Sequence, residues 1–236
     1  MKVLVTGGTG YLGRAIVRSL IDRGHEPIVL ARRAGQDVPC PAIEGDVRDH
    51  RAMRDAVRGV DGVIHSAALV SVWQRDPADF DRINVGGLET LLDVCALAQT
   101  GRIVVTSSFL ALPPAGAARP VEANGYQRSK VRALESGEPG EEYIAGGENV
   151  PQMRAFELLR AARGTPLPRR IPGPLAHLVA TWEEKIAART RPPRVTRGTV
   201  RILLRDWPLD NARSIQKLSY RITPFDQGIN RLLAGT

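Results

Sequence analysis

The chain has 236 residues, 43% of them hydrophobic and 25% charged, which suits one large folded domain or one domain with an appendage and excludes a disordered chain. No apolar run approaches the roughly 18 residues a membrane-spanning helix needs, and two cysteines, Cys40 and Cys95, are too few for a disulfide framework or a structural zinc site and read as packing residues of a reducing compartment. The net charge of +8 is uneven: residues 1–150 hold 17 basic and 19 acidic residues, residues 151–236 hold 16 and 6.

The first hundred residues alternate between two periods. Residues 2–6 form a short apolar run suited to a strand buried on both faces. Leu12, Ile16, Val17, Leu20 and Ile21 follow at helical spacing, and Gly24 suits the C-terminal cap. The pattern then predicts strands at 27–31 and 42–44, a helix at 50–58, a strand at 62–65, a longer helix marked by Phe80 to Cys95, and a strand at 102–106. Strands alternating with helices imply a parallel, doubly wound α/β sheet. Beyond Ser108 a loop precedes a helix at 124–135, a turn at 136–140 and a short strand at 142–145. Helices are expected at 152–162 and 175–188, the latter with Leu178, Val179, Trp182 and Ile186 on its apolar face. The basic tail could meet nucleic acid, anionic lipid or an anionic substrate. Its charges are spread out and lack interleaved aromatics, so they read as solvated helical faces, with no nucleic-acid partner. The opening residues carry no basic-then-apolar leader, from which a cytoplasmic location is expected.

Three groups of residues carry chemistry. Thr6-Gly7-Gly8-Thr9-Gly10-Tyr11-Leu12-Gly13 sits between a strand and a helix. Glycines at 7, 10 and 13 let the backbone turn sharply and approach a pyrophosphate, which the helix N-terminus receives with free N–H groups. The second strand ends in Arg32-Arg33, with no carboxylate until Asp37, a pattern that favours the extra phosphate of NADP over the bare ribose of NAD. Arg32 is the better placed of the pair, and Asp46-Val47 after the third strand is placed for the adenine edge. Tyr126 and Lys130 stand four residues apart on one helical face, where an ammonium favours the phenolate form of a tyrosine acting as proton donor. Thr106-Ser107-Ser108 ends the fifth strand at the carboxyl edge, where ligands bind in such sheets.

These motifs, with Gly45-Asp46-Val47-Arg48-Asp49, His65-Ser66-Ala67-Ala68 and Asn84-Val85, resemble the extended short-chain dehydrogenase/reductases, the NAD(P)-dependent epimerase/dehydratases, over residues 1 to about 135. Within them the sequence is most similar to dihydroflavonol-reductase-like and sugar-epimerase-like bacterial members. The resemblance implies a Rossmann domain at 1–135 and a reduced, α-rich substrate region at 136–236. It implies that Gly7, Thr9, Gly10, Tyr11, Leu12 and Gly13 hold the pyrophosphate of NADP, or of NAD, and that Arg32, Arg33, Asp46 and Val47 serve its adenosine half. Ala67 and Ala68 then lie along the cofactor, Tyr126 is the acid–base residue and Lys130 its partner. Ser107, with Ser108 close behind, is the catalytic hydroxyl. An internal block that family members carry after the Tyr/Lys helix is missing, and with it the sixth strand, unless residues 142–145 supply one. The implied activity is hydride transfer to or from a small carbonyl or alcohol. The alternatives are a sugar-nucleotide epimerase or dehydratase with tightly held NAD, and a dinucleotide-binding protein without turnover. A homodimer through the helix of residues 79–98 and the Tyr/Lys helix is also implied, with no metal.

Overall fold

The computed structural model describes residues 1–33, 38–121, 123–135, 140–187 and 191–234. Five strands, β1 (Lys2–Thr6), β2 (Glu26–Ala31), β3 (Ala42–Glu44), β4 (Gly62–His65) and β5 (Arg102–Val105), form one parallel sheet in the order β3-β2-β1-β4-β5. α1 (Tyr11–Asp22) covers one face, packing Val17, Ile16 and Leu20 against Val3, Val5, Val29 and Ile64. α2 (His50–Val57) and α4 (Gly86–Leu97) cover the other, where Met53, Val57, Leu88, Leu91 and Cys95 close over Leu4, Leu30 and Val63. Both faces are therefore buried along the central strands, as their unbroken apolar runs require.

The long helix expected around Phe80 to Cys95 is divided at Val85 into α3 (Ala78–Asn84) and α4. Gly87 explains the close approach there: a Cβ on it would lie 2.8 Å from Val47 Cγ2. α5 (Gly125–Glu135) packs on α3, with Gly125 against the Phe80 ring and Arg132 paired to Asp81 at 2.6 Å.

The strand expected at 142–145 does not form. Side chains further along hold this stretch instead: Ser214 Oγ donates to the Ile144 carbonyl at 2.6 Å, and just beyond it the Gly146 N–H donates to Asn211 Oδ1 at 2.8 Å. Short polar side chains compete with ladder pairing in this way. Among the described residues β5 is consequently a sheet edge, and its Val104 and Val105 are 48% and 42% exposed. The turn expected at 136–140 lies, through residue 139, outside the described residues, as do Asp37 and the last residue of the helix expected at 175–188.

The remaining described elements are helices: α6 (Gln152–Arg163), α7 (Gly173–Ala187), α8 (Arg197–Leu203), α9 (Ala212–Leu218) and α10 (Phe225–Ala234). It docks on the loop after β5. Trp207 donates from Nε1 to the Leu112 carbonyl at 3.1 Å and meets Phe109 edge-on at 6.0 Å, and Ala115 N–H donates to the Asp206 carbonyl. The apolar face expected on α7 is turned largely to solvent. Ala180 and Glu183 face inward, while Leu178, Val179 and Trp182 face solvent. α7 packs on α8, and Glu183 is held by Arg191 and by the Arg194 N–H, which keep its carboxyl down at about 2.

Candidate functional site

The glycine turn leaves β1 at its carboxyl end. Gly7 adopts φ +72°, a left-handed conformation that side chains resist, and a Cβ on it would lie 2.7 Å from Ala67 N. A Cβ on Gly13 would lie 2.1 Å from the Gly7 carbonyl oxygen. The turn is closed by Gly10 N–H donating to that same carbonyl, and Arg14 Nε donates to Thr9 O. No side chain caps the N-terminus of α1 and no acidic residue occupies its first turn. Its free amides and positive dipole end therefore face open space beside Thr9, Tyr11 and Leu12, as an anion cradle does. The tight Gly7–Ala67 contact brings the loop after β4 alongside, and Ala68 follows in it.

The β4 end is fixed by a buried polar cluster. Thr6 Oγ1 is 2.8 Å from His65 Nδ1 and accepts from the Ala67 N–H, and Ser66 Oγ donates to the Thr6 carbonyl. Burial, with help from the nearby Lys130 charge, lowers the His65 pKa to about 4, so the imidazole is neutral at pH 7. On the opposite side of the cradle, Arg32 and Arg33 are exposed just past β2. Asp46 accepts two bonds from the Arg48 guanidinium, at 2.9 Å each, and one from its N–H. Those bonds hold its carboxyl below the usual range, and the Arg32 charge adds to the effect. Val47 is buried against Gly87.

Lys130 and the end of β5 are brought together: Lys130 Nζ donates to the Thr106 carbonyl at 3.2 Å, and burial lowers the lysine pKa. Tyr126 is half-buried one turn earlier. The two serines differ. Ser108 Oγ accepts from the Leu110 N–H and caps the 3₁₀ turn Phe109–Ala111, whereas Ser107 is exposed and bonds through its hydroxyl to no described residue.

Three residues that sequence reasoning left out of the site hold α5 in place. Gln127, fully buried, accepts from the Ala123 N–H and donates to the Leu110 carbonyl, both at 2.8 Å. Asn84 accepts from the Leu69 N–H and donates to the Leu69 carbonyl and to Ser129 Oγ. Ser129 in turn donates to the Tyr126 carbonyl. The signal for Asn84 was its polarity within an apolar helical pattern; Gln127 carries none beyond its place beside Tyr126.

The family model described as the NAD dependent epimerase/dehydratase family matches residues 3–137. Sterol demethylase protein B of Methylococcus capsulatus is 37% identical over 145 residues, which are 56% of this chain and 44% of that protein. The crystal structure of the Thermus thermophilus UDP-glucose 4-epimerase complex with NAD is 32% identical, superposes with TM-score 0.52, and covers 57% of this chain and 49% of its own. That of gox2253 is 23% identical with TM-score 0.78, covering 98% of this chain and 96% of its own, and so shows the same fold through the C-terminal helices. The chain spans 44% of the length of that sterol demethylase protein and 33% of that of the 2-alkyl-3-oxoalkanoate reductase of Stenotrophomonas maltophilia, 36% identical over 111 residues. With its parallel sheet, its glycine turn and a family match running from β1 through α5, the chain belongs to the NAD dependent epimerase/dehydratase family.

Proposed function

We propose that this chain binds a nicotinamide dinucleotide and uses it to reduce a carbonyl compound, or to oxidise the matching alcohol. The observation that carries the reading is the cradle in which Gly7 and Gly13 leave no room for a Cβ, set beside a lysine buried at the end of β5. Gly7, Thr9, Gly10, Tyr11, Leu12 and Gly13 hold the pyrophosphate; Ala67 and Ala68 line the path to the nicotinamide; Asp46 and Val47 meet the adenine. Arg32 and Arg33 favour NADP through its additional phosphate, and Asp46, already neutralised by Arg48, repels that phosphate less than a free carboxylate. When bound, the cofactor supplies or accepts the hydride.

The chain's own residues position the substrate and move the proton. Tyr126 delivers a proton to the carbonyl oxygen. Ser107 or Ser108 holds that oxygen by a hydrogen bond, and Lys130, fixed on Thr106, orients the nicotinamide ribose. Calorimetric titration with NADPH and NADH tests the first half: saturable binding is expected, tighter for NADPH, and no heat with either ends the reading. Tyr126→Phe tests the second, with turnover expected to fall at least ~100-fold at unchanged dinucleotide affinity; Ser107→Ala and Ser108→Ala then decide between the serines.

A second reading, a dinucleotide-binding protein without turnover, is favoured by the open edge at β5: among the described residues no strand stands beside the catalytic end of the sheet to align a substrate. Binding without turnover across carbonyl substrates supports it. The likeness to the Thermus epimerase favours a third, epimerase or dehydratase chemistry, marked by NAD retained through purification.

A further inference from the structure

α7 is built inside out. Leu175, Leu178, Val179 and Trp182 recur at spacings of three and four, so they form one continuous apolar stripe. That stripe points away from the protein: Leu178 is 67% and Trp182 62% exposed, and the packed face consists of Ala180 and Glu183. Ile171 before the helix is also exposed. So are Leu203 at the end of α8 and Leu204 just after it, and Leu204 comes within 3.5 Å of where a Cβ on Gly173 would sit, at the start of α7. The packed pair α7 and α8 thus exposes several large apolar side chains, as docking sites do.

Charge identifies the occupant. Residues 164–205 contain nine Lys or Arg and only two carboxylates, Glu183 and Glu184. Both carboxylates are already paired, Glu183 with Arg191 and Glu184 with Arg197. Arg169 and Arg170 precede the stripe, Lys185 follows Trp182 by three residues, and Arg201 precedes Leu204 by three; all four are exposed. A second copy seated on this face would set like charges against each other. An indole and leucines rimmed by cations match instead an interface that is apolar beneath and anionic above.

We propose that the outward face of α7, with Leu203 and Leu204, docks on the surface of an anionic phospholipid bilayer. The helix lies in the plane of the interface. No helix among the described residues is long and apolar enough to cross a membrane. Trp182 and the leucines enter the headgroup boundary while the arginines contact lipid phosphates, and dinucleotide binding is not involved.

The test is co-sedimentation of the full chain with mixed phosphatidylcholine–phosphatidylglycerol vesicles, with phosphatidylcholine vesicles alone as the comparison. Binding is expected to the mixed vesicles only, weakening as salt is raised. Arg169→Glu/Arg170→Glu is expected to weaken it by well over tenfold, since each cation near such a surface is worth about fivefold, and Leu178→Ser/Trp182→Ser by about tenfold or more. Trp182→Phe should retain binding and lose the blue shift of tryptophan emission. Helical circular dichroism and NADPH titration, which these exposed positions should leave unchanged, separate misfolding from loss of docking. Absence of binding to the mixed vesicles overturns the proposal. So does binding lost in the arginine variant but kept in the Leu178/Trp182 variant, which would assign it to the basic chain in general. A dimer that dissolves in the Leu178/Trp182 variant, without vesicle binding, would give the face to a second copy and also overturn it.

Discussion

A single absent atom governs the cradle. A Cβ on Gly13 would lie 2.1 Å from the Gly7 carbonyl, whereas one on Gly10 would lie 3.3 Å from the same oxygen. Gly13→Ala must therefore move α1 or the turn, at a cost of about 1–3 kcal/mol, and is expected to weaken NADPH binding at least ~10-fold; Gly10→Ala should do much less. Thermal melts and calorimetry on the pair read both effects. His65 gives a second residue-level expectation. Its folded pKa of about 4 lies below the ordinary 6.5, so the unfolded chain takes up a proton first as pH falls. The contribution of the neutral imidazole is whole above pH 6.5 and declines towards pH 4, by up to about 3 kcal/mol. Urea unfolding across that window should show the decline, and His65→Asn should flatten it. The glycines were legible in the sequence because strand, turn and helix adjoin. The state of His65 was not, because its burial is supplied by distant chain.

At the scale of elements, α5 matters through what restrains it. Gln127, Ser129 and Lys130 each tie it to another segment: the loop after β5, Asn84 of α3, and the end of β5. Asn84→Ala leaves the Leu69 N–H, the Leu69 carbonyl and Ser129 Oγ to find new partners. A loss of about 1–3 kcal/mol in denaturant unfolding is expected, with turnover falling more than NADPH affinity because the displaced group is Tyr126. Periodicity revealed α1, α2 and α4 because each buries an amphipathic face on the sheet. It misjudged residues 142–145, whose short apolar pattern fits a strand but whose Ile144 carbonyl is taken by the Ser214 hydroxyl. It also found the apolar stripe of α7, but not the direction in which it faces. Spacing defines a stripe; only the neighbours decide which way it faces.

At the scale of the molecule, a sheet that ends at β5 among the described residues carries a helical region clasped to it through Trp207 on Phe109 and Leu112. A ligand that binds only the folded Rossmann unit must stabilise it by mass action. NADPH at a hundred times its dissociation constant is expected to add about 2.7 kcal/mol and raise the melting temperature by several degrees. Differential scanning calorimetry reads the shift, and a second transition that ignores the ligand would reveal that residues 136–236 unfold separately from residues 1–135.

By itself the sequence determined the parallel α/β sheet, the glycine turn and the Tyr126–Lys130 spacing, since each is local: a period, a missing side chain, one turn of helix. Tertiary structure alone decided that β5 ends the sheet among the described residues, that Lys130 is held by the Thr106 carbonyl, that Asn84 joins the loop at Leu69 to α5, and that α7 turns its leucines outward. Each of these depends on which distant segment fills a given space, and residue spacing along a chain does not carry that information.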